Sequence, residues 1–121
     1  MLNKIIKSLF ALLIFVSLTI SAQARSLDEI MKSGVLKGGV NPGLPPHAKY
    51  NEKNELVGFD ADIMAKLAEM LGVELELVKV GSPDRIPFVA TGKIDIVMGA
   101  LTRNYKRQKI VDYTVPVHTE V

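Results

Sequence analysis

The 121-residue sequence predicts an α/β fold, a mainly parallel sheet with helices on both faces. Apolar, strand-like runs at Val35–Val40, Val73–Val80 and Ile94–Met98 alternate with segments of helical period, the order expected of parallel strands joined by helices. Gly34, Gly72 and Gly92 each close a helical segment, as a C-terminal capping glycine does. Val35–Val40 is built from Val, Leu and small residues, the composition of a strand covered on both faces.

The elements follow in order. Ser26-Leu27-Asp28-Glu29 is a capping box, in which Ser26 caps the N–H of Glu29 and Glu29 reaches back. The short helix places Leu27, Ile30 and Met31 on one face. After the first strand, Asn41-Pro42-Gly43-Leu44-Pro45-Pro46 is a loop, because three prolines remove three backbone donors. It lies where open α/β sheets bind ligands, at the carboxyl end of a strand. Asn51-Glu52-Lys53-Asn54 is a polar turn between two short strands within Tyr50–Val57. Asp60 is expected to cap the next helix, with Asp62 favoured by the positive end of the dipole. Met64, Leu67, Ala68 and Leu71 then form its apolar stripe. A third helix spans about Asp84–Thr91, with Pro87 tolerated in its first turn. A buried strand over Ile94–Met98, a short helix near Asn104–Gln108 and a strand at Val111–Tyr113 complete the pattern.

The first residues read as an export signal. Lys4 and Lys7 precede an apolar core from Leu9 to Ile20, and Ala22-Gln23-Ala24 offers a small-x-small cleavage site. The apolar core is shorter than the roughly 20 residues that span a bilayer. The expected organisation is a signal peptide over residues 1–24 and a domain over 25–121 that functions in the periplasm. The leader holds two of the 15 basic residues and none of the 13 acidic ones, so the remainder balances and gives no reason to expect nucleic acid. No cysteine is present, so neither a disulfide framework nor a lipidated cleavage site is available.

Ser82 to Asp112 carries the residues with chemical potential. Arg107 stands five positions after Thr102, in a loop that follows an apolar strand. A guanidinium can hold a carboxylate through two parallel hydrogen bonds, which a lysine cannot match. The competing reading of Arg103, Lys106, Arg107 and Lys109 is a solvated basic run. Taken by itself, Arg85 reads as a helix-start arginine in solvent. His47 and His118 are the only histidines and have no ligand-spaced companions, so no metal site and no cofactor are expected. Asp60 and Asp62 suit helix capping better than a two-carboxylate active site.

In order and spacing, Gly58-Phe59-Asp60-Ala61-Asp62, Ser82-x-x-Arg85-Ile86-Pro87, Thr102 with Arg107, and Asp112-Tyr113-Thr114 resemble the periplasmic solute-binding proteins of family 3. These receptors capture polar amino acids for ABC importers. The resemblance covers most of residues 34–117. It implies the type II periplasmic-binding-protein fold, here truncated to most of lobe one, with the ligand held between two lobes.

The resemblance also implies roles. Arg107 would grip the ligand's α-carboxylate, supported by Thr102 and by the backbone at Ala100. Ser82, Arg85, Leu44 and Asn41 would contribute to the side-chain pocket. The Ser-x-x-Arg-Ile-Pro string is similar to that of glutamate- and aspartate-binding members, so Arg85 would meet a second negative group on an acidic ligand. Asn41, Leu44 and His47 stand where the family commonly has an acidic residue and two aromatics, which disfavours a cationic amino acid. The partners implied are an amino acid and an inner-membrane permease, and the protein is expected to be monomeric and not an enzyme. As one lobe, it is expected to bind weakly or not at all. The rivals are a periplasmic enzyme of this fold, similar to cyclohexadienyl dehydratase, and the sensing domain of a larger protein.

Overall fold

The computed structural model describes residues 23–119. The predicted leader therefore lies outside the described residues except for Gln23 and Ala24.

Helix α1 (Leu27–Ser33) begins with the full capping box at Ser26 and Glu29 and ends at Gly34 in the left-handed conformation. Strand β1 (Val35–Val40) follows at once. The loop over 41–48 leads to an antiparallel pair, β2 (Lys49–Tyr50) and β3 (Leu56–Val57). Helix α2 (Phe59–Leu71) returns the chain to β4 (Glu74–Lys79), and α3 (Arg85–Ala90) returns it to β5 (Ile96–Val97). A last turn of helix, α4 (Tyr105–Gln108), stands on the strand-exit side.

The main sheet has the order β4-β1-β5 and is parallel throughout. Val35 to Val40 pairs in register with Glu74 to Lys79, while Gly38 and Gly39 face Ile96 and Val97. All three strands therefore deliver their carboxyl ends to one rim. β5 is shorter than the expected Ile94–Met98, but its flanks still bond to β1: Asp95 N donates to Lys37 O at 2.8 Å and Met98 N to Gly39 O at 3.0 Å.

Alternate residues of β1 serve opposite faces. On one, Leu36 packs with Ile30 and Ala68, and Val40 with Met64 and Ala48, sealing α1 and α2 against the sheet. Met64 and Val40 are wholly buried. On the other face, Gly39 lies against Ile94, Val80 and Val97. The two central glycines leave no room for side chains. A Cβ on Gly39 would stand 2.5 Å from Ile94 Cδ1 and 2.9 Å from Val80 Cγ2.

Two expectations are corrected. Residues 111–113 are not a strand: Val111 N bonds back to Arg107 O, and no neighbouring strand pairs with the segment among the described residues. Asp60 does not cap α2. Gly58 is the N-cap residue, and the first helical donors are satisfied from a distant loop, Phe59 N by Pro46 O and Asp60 N by His47 O. With those donors taken, the Asp60 side chain turns inward. It is fully buried, with Oδ1 3.6 Å from His47 Nδ1.

Candidate carboxylate-binding site at the strand ends

The rim where β1, β4 and β5 end gathers most of the sequence-predicted site residues. Asn41, directly after β1, accepts from Gly43 N at 3.0 Å through Oδ1. Its Nδ2 donates to Ser82 Oγ at 3.2 Å, joining the loop after β1 to the loop after β4. Ser82 opens the turn into α3, whose first residue is Arg85.

Arg85 is 8 % exposed. Its Nε donates to Ser82 O at 3.3 Å and its Nη1 donates to Gly99 O, across to the exit of β5. Two of its nitrogens are thus engaged by backbone carbonyls. Burial pushes the guanidinium below the ordinary arginine value, and the neighbouring charge of Arg107 pushes it further the same way.

Arg107 is half-buried on α4. Asn104 caps this short helix by accepting from Arg107 N at 3.0 Å, which fixes the backbone from which the side chain departs. Arg107 Nη1 donates to Thr102 O at 2.7 Å, the five-residue spacing closing on itself. Tyr113 Oη approaches the same carbonyl at 3.5 Å, and Arg103 lies over the Tyr113 ring.

Between the arginines runs the chain from Gly99 to Thr102. Gly99 has φ +124° and Ala100 φ +49°, so the chain leaves β5 through two successive left-handed residues. Among the described residues, no acceptor is found for the backbone N–H groups of residues 99–103. Nor does any carboxylate pair with Arg85 or Arg107 among the described residues. Two guanidiniums, unpaired with acid and flanking a run of open N–H groups, form an environment that favours an anion.

The structure therefore brings together Asn41, Ser82, Arg85, Ala100, Thr102 and Arg107. Leu44 is half-buried on the same loop as Asn41, where it bridges to Ala48. A cavity of about 910 Å³ between α2 and residues 111–119 includes Ala100 and Thr102 in its wall but neither Arg85 nor Arg107. Its other lining is largely apolar, including Ile63, Leu67, Met70 and Val115.

Sequence reasoning overlooked two residues here. The Gly99 carbonyl gave no signal, being backbone. Asn104 did give one, as a capping residue type directly before Tyr-Lys-Arg-Gln. His47 packs its ring 4.7 Å from that of His118, with Phe59 edge-on to both.

Known proteins resemble this chain in sequence and in fold. Residues 36–121 match the family model for bacterial extracellular solute-binding proteins, family 3. Cyclohexadienyl dehydratase of Pseudomonas aeruginosa is 30% identical over 112 residues, covering 93% of this chain and 42% of that protein. A glutamine-binding protein of Geobacillus stearothermophilus is 39% identical over 98 residues, covering 78% of this chain and 37% of that protein. The chain thus spans about two fifths of the length of these curated relatives. Among solved structures, the arginine-bound form of domain 1 of ArgBP from T. maritima superposes with a TM-score of 0.71 at 35% identity, covering 75% of this chain and 72% of that one.

Proposed function

Because the chain belongs to the bacterial extracellular solute-binding proteins of family 3, we propose that it is the carboxylate-gripping lobe of an importer's amino-acid receptor. Arg107, Thr102 and the backbone at Ala100 take the α-carboxylate. Asn41, Ser82 and Leu44 border the ligand's side chain, whose class is polar or acidic. Residues 1–24 act as a cleaved export signal, and the rest works as a monomer in the periplasm, delivering its ligand to a membrane permease.

The observation that carries this reading is the pair of guanidiniums beside open backbone donors, with no acidic partner among the described residues. Anion binding relieves the repulsion between the two cations and satisfies the orphan N–H groups. The named ligands of the relatives, glutamine and arginine, differ in their side chains and share the α-carboxylate. An arginine-bound domain 1 also supports testing this chain by itself as well as within a complete receptor.

The rival reading is an enzyme of the same fold, supported by the similarity to cyclohexadienyl dehydratase over 93% of the chain. A thermal-shift and calorimetric screen of common amino acids, with a cyclohexadienyl carboxylate such as prephenate included, separates the two. A stabilising amino acid supports the receptor. Turnover of prephenate without any amino-acid response replaces it. In the receptor, Arg107→Ala removes a charged hydrogen-bonding group worth about 1.5–3 kcal/mol, weakening binding roughly 10- to 150-fold. Unchanged affinity in that variant refutes the carboxylate assignment.

A further inference from the structure

We infer that Arg85 is a positioning residue, a bracket that holds the Gly99–Thr102 turn in its ligand-ready shape and does not touch the ligand's side chain. The inference rests on the amino-acid-binding reading above and assigns that site a further part.

The turn needs holding. Ala100 at φ +49° is a left-handed residue that is not glycine, a conformation that its Cβ disfavours. Such a residue persists where its surroundings over-determine it. On one side, Asn41 closes on Gly99, its Cβ 3.5 Å from where a Gly99 side chain would begin. On the other, Arg85 Nη1 takes the Gly99 carbonyl while its Nε holds Ser82 O. One planar group therefore fixes the exit of β5 to the loop after β4, and Asn41 Nδ2 on Ser82 Oγ ties in the loop after β1. With its carbonyl turned to Arg85, Gly99 leaves the next N–H groups, from Ala100 to Thr102, unclaimed among the described residues. Those N–H groups are what a carboxylate needs. The charge of Arg85, set behind the turn and matched by no carboxylate there, adds to their pull.

A direct contact and a positioning role differ in what they do to selectivity. If Arg85 met a second carboxylate on the ligand, its loss would penalise glutamate and spare glutamine. If it shapes the turn, every amino acid loses affinity by the same factor.

The test uses the complete receptor carrying Arg85→Met or Arg85→Lys. Glutamate, glutamine and arginine are titrated by calorimetry, and the Ala100 Cα and Cβ chemical shifts are recorded without ligand. In Arg85→Met the Ala100 shifts leave their left-handed values, and affinity falls ~10- to 100-fold for every ligand the wild type binds. Arg85→Lys, which keeps the charge and can still donate to Gly99 O, recovers part of both. A selective loss of glutamate overturns the inference in favour of direct contact. Unmoved Ala100 shifts overturn it as well. If the wild type binds no amino acid, the receptor reading fails separately, and the Ala100 shifts alone still decide whether Arg85 sets the turn.

Discussion

Removing either partner of the Arg25–Asp95 pair should cost the fold more than any single surface substitution. Asp95 sits just before β5, with its side chain 1 % exposed. It accepts from Arg25 Nε at 2.8 Å and Arg25 Nη2 at 2.5 Å, and also from Lys37 N in the central strand at 2.7 Å. Arg25 in turn donates to Ser33 Oγ and Val35 O, each at 3.0 Å. One ion pair thus fastens the entry of α1, the start of β1 and the start of β5. Breaking a buried pair from one side costs about 3–5 kcal/mol, because the other charge is left stranded. Arg25 keeps 21 % of its side chain in solvent, so the lower end, about 3 kcal/mol, is expected for Asp95→Ala. In a domain of this size that corresponds to a fall in Tm of roughly 12–24 °C. Urea unfolding of the two single variants and the double variant should give a coupling of about 2 kcal/mol with an unchanged m-value. Costs that add to within about 0.5 kcal/mol would show that the two side chains act independently, and the clamp would be wrong.

Two further outcomes follow from polar side chains, one buried and one at the surface. Burial pushes the Asp60 carboxyl above its ordinary value, with His47 and His118 pulling the other way. An acid whose native pKa is raised binds its proton more tightly when folded, so wild-type stability falls as pH rises upward from the ordinary carboxylate value, near 4. Asp60→Asn removes that dependence, and its Tm advantage over wild type should widen from pH 4.5 to pH 8; a constant or shrinking difference refutes the assignment. At the site, Asn104→Ala removes the cap beneath Arg107 at a cost of about 1 kcal/mol, which should weaken amino-acid binding roughly fivefold, while Asn104→Asp retains it. Equal affinities in calorimetry would show that the cap does not orient Arg107.

What could be read from the residues was local. The capping box at Ser26, the glycine stops, the three main strands and the proline loop depend on neighbours within a few positions, and the structure has them all. The spacing of Thr102 and Arg107 was legible for the same reason, since a single turn of chain brings them together. The expectations that changed hinge on long-range partners. Asp60 has the residue type of a cap, but the loop carbonyls of Pro46 and His47 take the helix donors first. Val111–Tyr113 has strand propensity without a strand to pair with among the described residues. Arg85 looks like a solvent or pocket residue until the Gly99 carbonyl, 14 positions away, meets it. Arg25 gave no sign of its role, because Asp95 lies 70 positions downstream.

Gly38 and Gly39 have a mechanical meaning as well. With no side chains on the central strand at these two positions, Met64 rests almost on the backbone from one side, and Ile94 and Val80 do so from the other. The layers are pressed to their minimum separation, so the lobe is a thin plate with little give through its thickness. The rim carrying Asn41, Ser82 and Gly99 is the edge of that plate. Local changes of shape are then left to the loops that overhang the edge, and an engineer wishing to reshape this rim should cut there and leave the plate alone.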